Sequence, residues 1–260
     1  MTNIRVYSLA LFLLTSSFPL LAGELHVSVA SNFLLPLKKL AKAYEEKEDT
    51  KIVITSGSTG KLATQVLHGA PYDIFLGADQ KRVQHLIKEG KAWKNSRLTY
   101  AHGKIVLWGP GMDMKNKKLR QSLQSEKLQH LSLANPKLAP YGKAAQETLK
   151  HFELWSSLKE KIILGENVSQ AHQFVASGAA TQGIISLSQV KTSQPSSSYR
   201  LIPSRFHSPI RQAGVIIKTS DKLKEAKRFL NYLKSEKAIR TIHSFGHRSP
   251  HAHSKKGDDS

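Results

Sequence analysis

Residues 52–67 read IVITSGSTGKLATQVL. Ile52–Thr55 is a short apolar run, Ser56–Gly60 is small and hydroxyl-bearing, and Leu62, Val66 and Leu67 then recur at helical spacing. A buried strand, a hydroxyl-rich turn and a helix in such quick succession make one βα unit. The pattern repeats outward in both directions. Runs at 25–30, 74–78, 105–108, 131–134, 162–164, 184–187 and 213–217 carry no acidic or basic charge, as strands buried on both faces should not. Between them Leu34, Leu37, Leu40, Ala41 and Tyr44 form one helical stripe, with Lys38, Lys39 and Lys42 facing outward. Val83, Leu86 and Ile87 form a second stripe, and Leu223, Ala226, Phe229, Leu230 and Leu233 a third. This alternation predicts an α/β fold of mostly parallel sheets with right-handed crossovers. No internal repeat appears, residues 191–198 read as a loop, and 249–260 as a tail. The chain changes lobe near Lys104–Pro110.

Composition sets the bounds. The chain has 260 residues, a formal net charge of +20 and no cysteine, with 40% of its residues apolar. That apolar fraction supports a packed core, so the charge does not signify disorder. Without cysteine, disulfide scaffolds, thiol catalysis, zinc knuckles and iron–sulfur clusters are excluded. The basic balance admits nucleic acid, anionic membrane or anionic ligand as partner, and motifs must choose among them.

The first residues form an address. Met1–Arg5 is short and basic, and 6–22 is VYSLALFLLTSSFPLLA, ended by Glu24. This is the layout of a secretory signal peptide, with cleavage expected after Ala22 or Gly23 (residues 1–23). Ser16, Ser17 and Pro19 weigh against a membrane anchor.

Polar chemistry collects where strands pass into helices. The first strand leads to Ala30-Ser31-Asn32-Phe33, where Ser31 is placed as an N-cap. The second leads to Ser58-Thr59-Gly60-Lys61. Residues 131–134 lead through Asn135-Pro136 and Tyr141-Gly142 into a helix at Lys143, and 162–164 through Asn167-Val168-Ser169 into a helix at Gln170. In open α/β sheets, ligands bind at the carboxyl ends of strands. Helix starts there point unpaired N–H groups outward and suit an anion.

Other chemistries find no support. Gly60-Lys61 is not a phosphate loop, because position 55 is Thr and position 62 is Leu. No nucleophile elbow, zinc-protease motif or dinucleotide fingerprint occurs, so no enzymatic activity is expected. His243, His247, His251 and His253 have a spacing that could hold a soft divalent ion, yet read as a basic tail. Trp93, Trp108 and Trp155 lie far apart and make no stacking platform for single strands.

Ala30-Ser31-Asn32-Phe33, Gly57-Ser58-Thr59-Gly60-Lys61-Leu62 and Gly69-Ala70-Pro71-Tyr72-Asp73-Ile74-Phe75 together resemble the periplasmic molybdate-binding proteins of ABC importers. The likeness continues through Ala78-Asp79-Gln80, Asn135-Pro136, Ala139-Pro140-Tyr141-Gly142 and Gly165-Glu166-Asn167-Val168. It implies a type 2 periplasmic binding protein: two α/β lobes joined by crossing strands, with one tetrahedral oxyanion in the cleft. Lobe one would be residues 24–103 plus 206–260, and lobe two residues 104–205. Carried over, the ligand-binding residues are Ser31, Asn32, Ser58 or Thr59, Tyr141 and the Val168 backbone. Molybdenum itself would be held, through its oxygens, by Ser31, Ser58 and Val168. Where some members have a tyrosine after Gly-Ile-Val, this chain has Ser186 after Gly183-Ile184-Ile185, which makes Ser186 a further candidate.

The resemblance implies molybdate or tungstate as transported ligand, no cofactor, and a periplasmic, monomeric protein. Its partners would be a membrane permease and a cytoplasmic ATPase. A site of donors with no carboxylate suits a fully deprotonated dianion, since protonated phosphate wants an acceptor. Sulfate or another tetrahedral oxyanion is the alternative ligand. An exported basic nucleic-acid-binding protein is the alternative from another class. The charge itself is spread over both lobes and forms the surroundings of the site.

Overall fold

The computed structural model describes residues 23–114, 116, 118–248 and 250. Residues 1–22 of the signal-peptide reading and His251 and His253 fall outside them, while Gly23 is the first residue of a strand. Two five-stranded sheets carry the fold. In the first, the order is β2 (Thr50–Gly57), β1 (Gly23–Ala30), β3 (Ile74–Gly77), β10 (Ile210–Ile216) and β4 (Leu98–Gly103). In the second it is β7 (Ile162–Gly165), β6 (Leu131–Ala134), β8 (Gln182–Ser186), β5 (Ile105–Trp108) and β9 (Tyr199–Leu201). Each sheet is the core of one lobe of a two-lobed α/β protein.

The sheets are mixed, where the sequence predicted mostly parallel ones. β1 is parallel to β2 and β3, and β6 to β7 and β8. β10 and β5 run antiparallel to both of their neighbours. These are the strands next to the passages between sheets. Lys104 alone separates β4 from β5, and the chain returns through 202–209 from β9 to β10. A strand that re-enters from the other lobe has no crossover helix to turn it parallel.

The helices cover the sheets as their apolar stripes require. Leu37, Leu40, Ala41 and Tyr44 of α1 (Leu34–Glu45) are buried on the first sheet with Phe229 of α7 (Leu223–Tyr232) and Ile242 of α8 (Glu236–Ser244). On its other face, Leu62 and Val66 of α2 (Thr59–Leu67) meet Val83 and Leu86 of α3 (Gln80–Lys88). The second sheet is flanked by α4 (Leu119–Leu123), α5 (Pro140–His151) and α6 (Val168–Ala176). Ala30, Ala78 and Ile210 of the first sheet's chain pack into the second lobe's core. The two lobes therefore touch as one closed body.

Trp108 is buried and stacks on His172, with ring centroids 4.7 Å apart. Trp93 is exposed. His247, expected in a basic tail, is buried at the edge of Phe33. Among the described residues no three His, Asp or Glu side chains gather as metal ligands.

Candidate functional site

Each of four loops leaves the carboxyl end of a strand and enters a helix, and all four converge between the lobes. β1 ends at Ala30 and runs into a 3-10 turn, Ser31–Phe33. Ser31 does not cap it: the turn is entered from Ala30 with no side-chain cap bond, contrary to the sequence expectation. The Ser31 hydroxyl is therefore free of the duty that most often explains a serine at such a place. At the second loop Ser58 is the N-cap of α2 and accepts from Lys61 N at 3.4 Å, leaving its own proton available. Thr59 Oγ1 accepts from Ala78 N at 3.1 Å. Thr59 and Val168 are the first residues of α2 and α6, whose leading amides a helix leaves unpaired.

The third and fourth helices begin two or three residues earlier than the sequence reading. α5 starts at Pro140, because proline's missing N–H costs nothing at a first helical position. α6 starts at Val168, capped by Asn167, whose side chain accepts from Ser169 N and Gln170 N at 3.0 and 3.1 Å.

One small cavity lies among these loops. It is lined by Ser31, Asn32, Ser58, Thr59, Tyr141 and Val168, together with Ala30, Gly57, Ala78, Ala139 and Pro140. Its volume is about 180 Å³ even with the space open to solvent included, against the ~300 Å³ at which pockets for organic ligands begin. None of the lining residues is charged. The nearest carboxylate on these loops, Glu166, is turned outward and meets Lys61 Nζ at 3.2 Å across the cleft. The cavity thus offers hydroxyls, amides and the positive ends of α2, α5 and α6, which is a place for one compact anion.

Tyr141 is fully buried. Burial raises its hydroxyl above the ordinary phenol range, partly opposed by its hydrogen bonds with Ser186 and Asn32, so it stays a donor at neutral pH. Asn32 Nδ2 donates to Tyr141 Oη at 3.2 Å and to Gln212 Oε1 at 2.6 Å. Asn32 lines the cavity, but its amide protons are engaged by these partners. Ser186 does not line it. It lies behind Tyr141 and caps the turn that follows β8, with its backbone N–H bonded by Gln189 Oε1 at 3.3 Å.

Sequence reasoning did not single out Gly103. A Cβ placed there would stand 2.2 Å from Tyr141 Oη, so only glycine leaves room for the phenol. Nor did it find the closing contacts between lobes. Gly60 N donates to Leu138 O at 2.9 Å, and Arg82 Nη2 to Lys137 O at 3.0 Å. No local pattern marks these residues, since each acts by approach from a distant part of the chain.

Comparison with known proteins bears on the family and the fold. Residues 25–248 match the family model described as bacterial extracellular solute-binding protein. The chain is similar to a molybdate-binding protein of Azotobacter vinelandii, 38% identical over 87% of this chain and 90% of that protein. A molybdate-binding protein of Rhodobacter capsulatus is 35% identical, over 89% of this chain and 90% of its own length. The solved structure of the periplasmic molybdate-binding protein of Azotobacter vinelandii superposes with a TM-score of 0.82. It is 36% identical, over 87% of this chain and 99% of that one.

Proposed function

This chain belongs to the bacterial extracellular solute-binding proteins, and from that premise we propose that it captures molybdate, or the equally shaped tungstate, for import. It would work outside the cytoplasm, after removal of residues 1–23, and hand the ion to a membrane permease driven by a cytoplasmic ATPase. No helix among the described residues is long and apolar enough to cross a membrane. The ion is cargo, and the protein's work is binding and release.

The observation that carries this reading is the uncharged cavity of hydroxyls and amides, without a carboxylate, at the start of three helices. A dianion with four oxygens accepts hydrogen bonds on all of them and donates none. Ser31, Ser58, Thr59, Tyr141 and the Val168 amide would supply the donors, with Asn32 steadying Tyr141. Phosphate near neutral pH keeps a proton that asks for an acceptor, and no carboxylate is there to take it. Residues 24–103 and 206–260 would move as one lobe and 104–205 as the other, with closure completed when donors from both sides hold the same ion. The sulfate and nucleic-acid readings are not favoured: the relatives named above bind molybdate, and the basic hollows beside the cavity, with Lys61, Arg82, Lys137 and Lys143, hold no Phe, Tyr or Trp among the described residues.

A thermal-denaturation series with molybdate, tungstate, sulfate, phosphate and duplex DNA tests the proposal. Molybdate or tungstate at 100 times its dissociation constant should add about 2.7 kcal/mol. Equal stabilisation by phosphate would refute the argument from the absent carboxylate, and stabilisation by DNA alone would reinstate the other class.

A further inference from the structure

The turn after β8, Ser186-Leu187-Ser188-Gln189, touches three of the four binding loops without lining the cavity. Ser188 Oγ donates to the carbonyl of Asn32, in the other lobe, at 2.6 Å, and both residues are buried. Gln189 Nε2 donates to Val168 O and to Ser169 Oγ, each at 3.2 Å, at the start of α6. Ser169 Oγ in turn donates to Ser31 O at 3.4 Å. Ser186 completes the set as a partner of the Tyr141 hydroxyl.

We infer that this turn is a brace, with Ser188 and Gln189 as positioning residues that set the Asn32, Val168 and Tyr141 loops as a unit around the anion. The inference rests on the binding reading above and adds residues to it. The direction of the protons follows from chemistry. A carbonyl only accepts, so the Ser188 proton goes to Asn32 O, and the Ser186 proton must then go to Ser188 Oγ, 2.8 Å away. Ser186 is left with lone pairs facing the phenol. It can hold the Tyr141 proton while the cavity waits, and it yields that proton when a more strongly accepting dianion arrives. The first lobe's loop is thereby tied to the second lobe's tyrosine through the brace, as well as through Asn32 Nδ2.

The test measures molybdate dissociation constants and release rates for Ser188→Ala, Gln189→Met, Tyr141→Phe and the Ser188→Ala/Tyr141→Phe double variant. Ser188→Ala and Gln189→Met should each weaken binding about ten-fold, chiefly through faster release. The double variant should lose less than the product of its single losses, because both changes break one linked network. A merely structural serine would give multiplicative losses. If Ser188→Ala fails to fold, Gln189→Met decides by the same measurement. Constants within about two-fold of the parent for the folded variants, or multiplicative losses, overturn the brace. A Tyr141→Phe protein that binds like the parent overturns the site reading itself, and the brace with it.

Discussion

Ser31 shows what a single hydroxyl can disclose. It sits at a strand end beside a helical turn, is almost fully buried, and caps nothing. Replacing it with alanine should weaken molybdate binding by roughly 1–3 kcal/mol, the cost of removing one donor to a charged acceptor. Titration calorimetry reads this directly, and an unchanged constant would take Ser31 out of the site. The loops that carry Ser31, Asn32, Ser58, Thr59, Tyr141 and Val168 could be picked out in the sequence because each lies where a strand gives way to a helix, while the choice of residues within them came from the family resemblance. Gly103, Ser188 and Gln189 could not. Gly103 matters only because a phenol from the second lobe comes to rest against it, and Ser188 because a carbonyl 156 positions away points at it. No spacing rule encodes such meetings. The opposite error occurred at Ser186, where a plausible position in a familiar strand belongs to a turn behind the cavity.

At the level of elements, the start of α6 is where stability and binding are most closely joined. Asn167 holds the amides of Ser169 and Gln170, and Val168, between Asn167 and Ser169, lines the cavity. Asn167→Ala should lower stability by about 1 kcal/mol, the usual loss of a side-chain cap. A urea denaturation midpoint that does not move would show that the cap is redundant with Gln189's grip on Val168 O. α1, α2, α3 and α7 were legible because their apolar periodicity is strong, and eight of the strands because their runs are apolar; α4 and α8 were not read. Nor were β4 and β9. β4 is an edge strand whose burial is partial at Leu98, Thr99, His102 and Gly103, and β9 has only three residues with little of it covered. The other two edge strands, β2 and β7, keep a short apolar run at 52–54 and 162–164, and β4 and β9 have none. Helix starts were misplaced by two or three residues because Pro140 and Val168 carry no apolar period of their own.

For the molecule as a whole, acid should be the most damaging condition. His247 is fully buried, and burial draws its imidazole from 6.5 down to about 4. Gln212 Oε1 already accepts from Asn32 and Tyr100, which leaves Nε2 to donate to His247 Nδ1 at 3.1 Å. A proton on Nδ1 would meet that donor, and Lys191 adds a further charge against it. A lowered folded value means the stabilising contribution is whole above 6.5 and is lost as pH falls from 6.5 towards 4. The loss by pH 4 should be roughly 3 kcal/mol. Urea unfolding at pH 7 and at pH 4 measures it, and His247→Gln should flatten the difference. An equal acid loss in that variant would assign the effect to other groups. The strand that carries Gln212 has one more implication, for the order of assembly. β10 is inserted between β3 and β4, so the first sheet lacks an inner strand until residues 210–216 have been made. The second sheet, by contrast, is one uninterrupted stretch of chain from β5 to β9. As the polypeptide emerges end first, the second lobe can fold on its own while β1 to β4 wait beside an open slot. An exposed edge of this kind invites mispairing and gives a holding chaperone something to grasp. Completion of the protein thus depends on its last sheet strand, and so does the Asn32–Gln212 bond that readies the site.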